Sequence, residues 1–379
     1  MQQPTRRVRL RLGVLFALSI IATGAMGSEP VRVVAEDGPD RDAKQPQVAV
    51  DSGGRIYIVF GRDDTIRLAA SSDGGRNYDV NTVGSVGSLA LGMRRGPRVA
   101  ATSEAVVVTA IGGREGKGRD GDVLAWRSPD GGKTWTGPTR VNTVESSARE
   151  GLHGMAAGPN GQVFCTWLDL RNKQTEIYGS LSKDGGVNWE PEALVYRSPD
   201  RSVCECCHPS AAFGPDGTLH VMWRNQVRGA RDLYLTRSSD GGKTFRPAEK
   251  LGRGSWPLNA CPMDGGAVAA GPAGRVETVW MRAGSMFAAR PGEAERSLGR
   301  GVQGWTAFGT EGSYAVWLEN RPGKLLALLP DASLRTLDER ASDPVVAAAP
   351  DGRGPVVAAW EAKEVGGIVS VVLEQPRNQ

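Results

Sequence analysis

The sequence predicts an all-β chain: a propeller of seven four-stranded antiparallel blades. Three observations carry that prediction. An eight-residue segment recurs four times at nearly constant spacing, and strand-length runs of alternating apolar and polar residues flank each copy. The composition favours turns over helices, with 51 glycines and 23 prolines.

The first 27 residues read as an export signal. Arg6, Arg7, Arg9 and Arg11 precede an apolar run from Gly13 to Ala22, and Ala25-Met26-Gly27 fits a small-x-small cleavage site. The run is too short for a comfortable transmembrane helix, and no later segment approaches it. This leaves 28–379 as one domain, expected to be a periplasmic or secreted monomer without a membrane span. Removing the four arginines takes the formal charge from +4 to zero. A near-neutral chain gives no reason to expect nucleic acid or an anionic membrane as partner.

The repeats begin at Ser71, Ser128, Ser182 and Ser238, a period of about 56 residues. They read Ser71-Ser-Asp-Gly-Gly-Arg-Asn-Tyr78, Ser128-Pro-Asp-Gly-Gly-Lys-Thr-Trp135, Ser182-Lys-Asp-Gly-Gly-Val-Asn-Trp189 and Ser238-Ser-Asp-Gly-Gly-Lys-Thr-Phe245. Asp73, Asp130, Asp184 and Asp240 are expected to accept bonds from backbone N–H groups two residues on, closing a tight turn. The paired glycines permit positive φ, and the closing aromatic is expected to bury its ring between neighbouring sheets. Local turn bonding accounts for these aspartates, so their reading is structural.

These units, at 71–78, 128–135, 182–189 and 238–245, resemble the Asp-box, or bacterial neuraminidase repeat, of the sialidase superfamily. The resemblance implies a propeller but says little about reaction, since Asp-boxes also occur in proteins without sialidase activity.

Around the boxes one order of strands repeats. It begins with Gln47–Val50, Ile56–Phe60 and Ile66–Ser71. It returns at Val99–Val108 with Val123–Ser128, Met155–Leu168 with Ile177–Ser182, and Ala211–Trp223 with Leu233–Ser238. After the boxes fade it continues at Ala267–Trp280, Thr306–Trp317 and Val345–Trp360. That makes seven units, the last ending after Ile368–Leu373. Val31–Val34 is placed to supply its missing outer strand and close the ring without an exposed edge. The sialidase catalytic domain has six blades, so a six-bladed ring with one unit as an insertion is the alternative.

In such a ring the segments before each first strand gather at one mouth, with the connections from second to third strands. Two of these segments hold four of the five cysteines: Cys204, Cys206 and Cys207 before the fourth unit, and Cys261 before the fifth. The fifth, Cys165, sits in an alternating strand and reads as a buried, inert thiol. One reading of the cluster is disulfide bonding, natural in an exported chain, with Cys206 or Cys207 bridged to Cys261. The other is a soft-metal or thiol-exchange site: Cys204, Cys206, Cys207, His208, Cys261 and Met263 would suit Cu(I) or Zn.

The second signal is arginine. Arg62, Arg114, Arg171, Arg224, Arg228, Arg282 and Arg321 fall in second-to-third connections, where guanidinium groups would hold a carboxylate or phosphate. Pairing with Asp63, Asp169, Asp232 or Glu319 is the competing reading. Glu150 and His153 are expected to lie beside the cysteines.

Resemblance to sialidases implies an arginine triad, a tyrosine nucleophile with a glutamate partner, and an aspartate acid/base. The Phe/Tyr-Arg-Ile-Pro motif of that family is absent from this sequence. Asp63 or Asp64 would be the acid/base, and Tyr314 with Glu311 the nucleophile and partner; no arginine matches the family residue by residue. The chain also resembles a group of exported bacterial sialidase-like proteins sharing C-x-C-C-x-P and A-C-P-M-x-G segments, carried here by Cys204, Cys206, Cys207, Pro209, Cys261, Pro262, Met263 and Gly265. Three functions follow as expectations. The first is an exported propeller binding a small-molecule, glycan, soft-metal or protein ligand at its cysteine-bearing mouth. The others are a sialidase-type glycoside hydrolase and a structural propeller with disulfide-stapled loops.

Overall fold

The computed structural model describes residues 28–34, 37–364 and 366–375; the expected export signal lies outside them. Apart from one 3-10 turn at Pro272–Gly274, the regular structure among these residues is entirely β. The strands form successive antiparallel sheets. The first sheet orders Lys44–Val50, Ile56–Arg62, Thr65–Ser71 and Asp79–Ser85 from inside outward. The second runs Arg98–Ala101, Val106–Gly113, Asp122–Ser128 and Thr136–Arg140, with a short strand Ser88–Leu89 added against Gly112–Gly113. Three sheets of four follow, beginning at His153–Ala157, Ser210–Phe213 and Ala267–Ala270.

The last sheet contains a junction that the periodicity did not reveal. The fourteen residues of Leu334–Ala347 form one continuous strand. Its first part pairs with Gly323–Leu328 as the outer strand of a sixth unit, and its second part pairs with Val356–Ala362 as the inner strand of the next. Val31–Arg32 then pairs antiparallel with Ile368–Glu374, Val31 opposite Ser370 and Arg32 opposite Val369. The two chain ends thus share one sheet, as the expected closure requires, and the seam has no open edge.

Burial follows strand position. Second strands are sandwiched by neighbouring sheets on both faces, so all seven residues of Val163–Asp169 are buried. Outer strands face solvent, and all five residues of Thr136–Arg140 are exposed. Trp167, Trp223, Trp280, Trp317 and Trp360 stand near the ends of five successive second strands, each no more than 2 % exposed. Large rings at this level fill the widening wedge between radially arranged sheets.

Each repeat closes the turn between a third and a fourth strand, but the bonding differs from expectation. Asp73 accepts from the N–H groups of Arg76 and Asn77, three and four residues on rather than two. Asp130 does the same with Lys133 and Thr134. The buried serine is the second pivot. Ser128 Oγ donates to Asp130 at 2.8 Å and accepts the buried Gly132 N–H at 2.8 Å, and Ser71, Ser182 and Ser238 repeat this pattern. The closing aromatics pack as expected: the Tyr78 hydroxyl reaches Ser370 of the last sheet at 3.0 Å.

The inner strands stand side by side around the axis in chain order, and Leu334–Ala347 returns to contact Lys44–Val50. They line an axial channel of about 180 Å³. Its walls are rich in alanine, including Ala49, Ala157, Ala211 and Ala347, and these short side chains leave the axis open.

Candidate functional site at the cysteine-bearing mouth

The box turns occupy one face of the ring, while the segments entering the inner strands occupy the other. Two of those segments, around residues 205 and 262, lie against each other. A Cβ built on Gly265 would stand 2.0 Å from the His208 carbonyl oxygen. Arg224 fastens the same junction: its Nε donates to the Asp264 carbonyl, and its Nη1 and Nη2 donate to the carbonyls of Arg231 and Met281.

Backbone bonds fix the first cysteine. Val203 N–H donates to Thr175 O, and Cys204 N–H donates to Arg224 O at 3.0 Å. The chain then folds back so that Cys204 Sγ lies 3.3 Å from Cys207 Sγ and 3.7 Å from Cys206 Sγ. The three sulfurs all lie within 4.8 Å of one another. Cys204 and Cys207 are buried, Cys206 is half-buried, and Cys261 is exposed beside the Cys206 thiol; all five cysteines are free thiols in the structure.

The charge pattern divides the three thiols. Hydrogen bonding with the Cys206 and then the Cys207 thiol holds Cys204 well below the ordinary thiol range, aided by Arg231 and then Arg224. Cys206 is pushed up to about 12 chiefly by its hydrogen bond to Cys204, and Cys207 rises through burial. Arg231 has Nε and Nη1 buried without a hydrogen-bond partner, so its charge is available to Cys204. Three cysteine sulfurs in close contact beside a guanidinium form a soft-donor group suited to a thiophilic metal.

His208 does not join the sulfurs. Its ring turns to the axis and stacks on Trp305, centroids 5.4 Å apart at 13°. Burial, with Arg94 and Arg98 nearby, holds its pKa well below the usual histidine value. His153 is likewise buried; its Nε2 lies 3.1 Å from Thr109 Oγ1 and its carbonyl accepts from Arg98. Cys165 is fully buried, which raises its thiol to about 12.

The axis at this mouth is filled by side chains that the sequence reading did not single out. Arg94 reaches across it to the carbonyls of Pro344 and Gln303 at 2.9 and 2.6 Å, its guanidinium 5.3 Å from the Trp305 ring centre. Gln303 donates to Asp343 at 2.9 Å and accepts the Asp343 N–H in return, while its own N–H goes to Asp264. A signal for this level was present: Pro46, Pro97, Pro209 and Pro344 recur at one register near the entry of four inner strands.

Five of the seven arginines expected to ring the mouth bind partners within the protein through their side chains. Arg171 binds Asp169 and Glu192 at 2.8 and 2.7 Å, Arg282 binds Glu295 at 2.7 Å, and Arg321 binds Asp343 at 3.0 Å. Arg62 lies within 4 Å of Asp40 and Asp63. Arg224 is buried on three carbonyls rather than on Asp232.

The residues suggested for glycoside hydrolysis lie at opposite faces. Asp63, at the mouth, is 82 % exposed, whereas Tyr314 begins a second strand on the box face and donates to Glu374 at 2.6 Å. Burial and that carboxylate push the Tyr314 hydroxyl far above the ordinary tyrosine range, the reverse of an activated nucleophile. Asp63 and Tyr314 therefore do not assemble into one catalytic centre.

Comparison with known proteins agrees with the architecture. Residues 97–269 match the family model of a BNR repeat-like domain. Among solved structures, the α-L-arabinanase of Penicillium chrysogenum superposes with a TM-score of 0.58 at 14 % identity, covering 92 % of this chain and 98 % of that one. Virginiamycin B lyase from Staphylococcus aureus gives 0.53 at 12 %, covering 91 % and 99 %. The leech intramolecular trans-sialidase gives 0.51 at 10 %, covering 81 % and 79 %. At these identities the likeness is one of fold. No curated protein matches the chain by sequence.

Proposed function

We propose that the chain is an exported, seven-bladed sialidase-like propeller of the BNR-repeat kind that binds Cu(I) through Cys204, Cys206 and Cys207. The observation carrying this reading is the sulfur triangle. Sulfurs sharing one ion at about 2.3 Å stand about 3.8–4.0 Å apart, close to the spacing already present. Three soft donors without a fourth in the group suit Cu(I), whereas structural zinc sites close with four ligands. Charge agrees: Cu(I) on three thiolates carries two negative charges, and Arg224 and Arg231 stand beside them.

Seven inner strands around the axis support the blade count, and the arginine-rich start supports export.

The test is an anaerobic titration of the reduced protein with Cu(I) against a chromophoric chelator. One Cu(I) per chain is expected, and none when Cys204, Cys206 and Cys207 are all replaced by serine. Equal retention by the triple variant would defeat the reading.

A further inference from the structure

We propose that Cys261 is the entry ligand through which Cu(I) passes from a thiol-bearing donor to the buried triad. This rests on the Cu(I) reading above and adds a route and a kind of partner. The four mouth thiols form a graded series. Cys261 is exposed, Cys206 half-buried, and Cys204 and Cys207 buried. The steps are short: the Gly265–His208 approach brings the Cys261 segment against the triad segment, Cys206 lies 3.7 Å from Cys204, and Cys204 lies 3.3 Å from Cys207.

A soft ion held by thiolates moves by associative exchange, in which the incoming sulfur bonds before the outgoing one leaves. A donor protein cannot reach Cys204 or Cys207 directly, because both are closed off from solvent. Cys261 is reachable: residues 258–262 carry no regular structure and 259–261 are exposed. The segment is anchored behind by the backbone bridge from Ala230 to Pro257 and ahead by the Gly265–His208 contact. Cys261 therefore lies at the surface on a segment anchored beside the triad.

The chemistry balances without a redox partner. The Cys261 sulfur–copper bond forms as the donor's copper–sulfur bond breaks, and the Cys261 proton passes to the departing donor sulfur. Copper stays in the +1 state throughout. Exchange onto Cys204, Cys206 and Cys207 displaces the Cys206 and Cys207 protons, one returning to Cys261 and the other passing to solvent, and frees Cys261 for the next ion. The partner this predicts is a carrier that displays Cu(I) on exposed thiolates.

The experiment mixes the reduced, purified chain with Cu(I)–glutathione in an anaerobic stopped-flow instrument and follows thiolate-to-copper absorbance. Cys261→Ser is expected to load roughly tenfold more slowly than wild type, because the reachable thiol is gone. Its final stoichiometry and chelator-competition affinity are expected to equal those of wild type, and Cys165→Ser should load normally. Loading of Cys261→Ser at the wild-type rate overturns the route while leaving the Cu(I) site intact. Loss of affinity as large as that of Cys204→Ser also overturns it, because Cys261 would then be a permanent ligand. A wild-type chain that takes up no Cu(I) defeats the underlying site and the route together.

Discussion

Gly265 and His208 belong to adjacent sheets, yet a Cβ on Gly265 would lie 2.0 Å from the His208 carbonyl oxygen and 2.9 Å from its Nδ1. The obstacle is backbone and a ring stacked on Trp305, so neither can yield cheaply. Gly265→Ala is expected to lower unfolding free energy by about 1–3 kcal/mol, the usual range for overpacking. Chemical denaturation with the linear extrapolation checks this, and an unchanged midpoint would mean the two segments are not packed as described.

The box serines are expected to matter although they carry no charge. Ser128 is fully buried and satisfies the buried Gly132 N–H. Ser128→Ala strands that donor, at a cost of about 1–3 kcal/mol. Ser182→Ala should behave alike, since Ser182 serves Gly186 in the same way. Neither change should alter Cu(I) stoichiometry, because the boxes occupy the face opposite the cysteines.

Acid should act on the boxes first. Asp73 is held below its ordinary pKa chiefly by the Asn77 side chain, Asp130 by the Thr134 N–H, and Asp240 by the Thr244 hydroxyl. A carboxylate depressed in the folded state stabilises it above the unfolded value and loses that contribution as pH falls. Stability should therefore decline as pH drops below about 4. A combined Asp73→Asn, Asp130→Asn, Asp240→Asn variant should be less stable at neutral pH and show a shallower decline. Equal slopes in pH-dependent denaturation would contradict this origin.

Arg171 illustrates how the mouth arginines act. It is 16 % exposed and sits between Asp169 and Glu192, which are 0 and 2 % exposed, with its guanidinium 3.9 Å from the Tyr178 ring centre. Arg171→Leu leaves two buried carboxylates uncompensated and should cost about 3–5 kcal/mol. A loss well below 1 kcal/mol, measured by denaturation, would place these groups in solvent instead.

The repeats made the architecture legible because the same four residues (Ser, Asp, Gly, Gly) must return wherever the same turn returns. The junction inside Leu334–Ala347 was hidden, since one unbroken strand serves two sheets and leaves no turn residue between them. The cysteine triad was legible as composition: Cys204, Cys206 and Cys207 stand within four residues of one another. The exclusion of His208 was not, because it depends on Trp305, almost a hundred residues away, offering a stacking surface. Arg94 escaped notice for the same reason, as its partners Gln303 and Pro344 come from distant units. Local chemistry shows in the chain, while axial partners are set only when the ring closes.

The most direct test of the sulfur triangle is X-ray absorption at the copper edge of the Cu(I)-loaded, reduced protein. A first shell of three sulfurs and no nitrogen is expected, unchanged in His208→Ala. A shell containing imidazole nitrogen, or only two sulfurs, would contradict a site built from Cys204, Cys206 and Cys207.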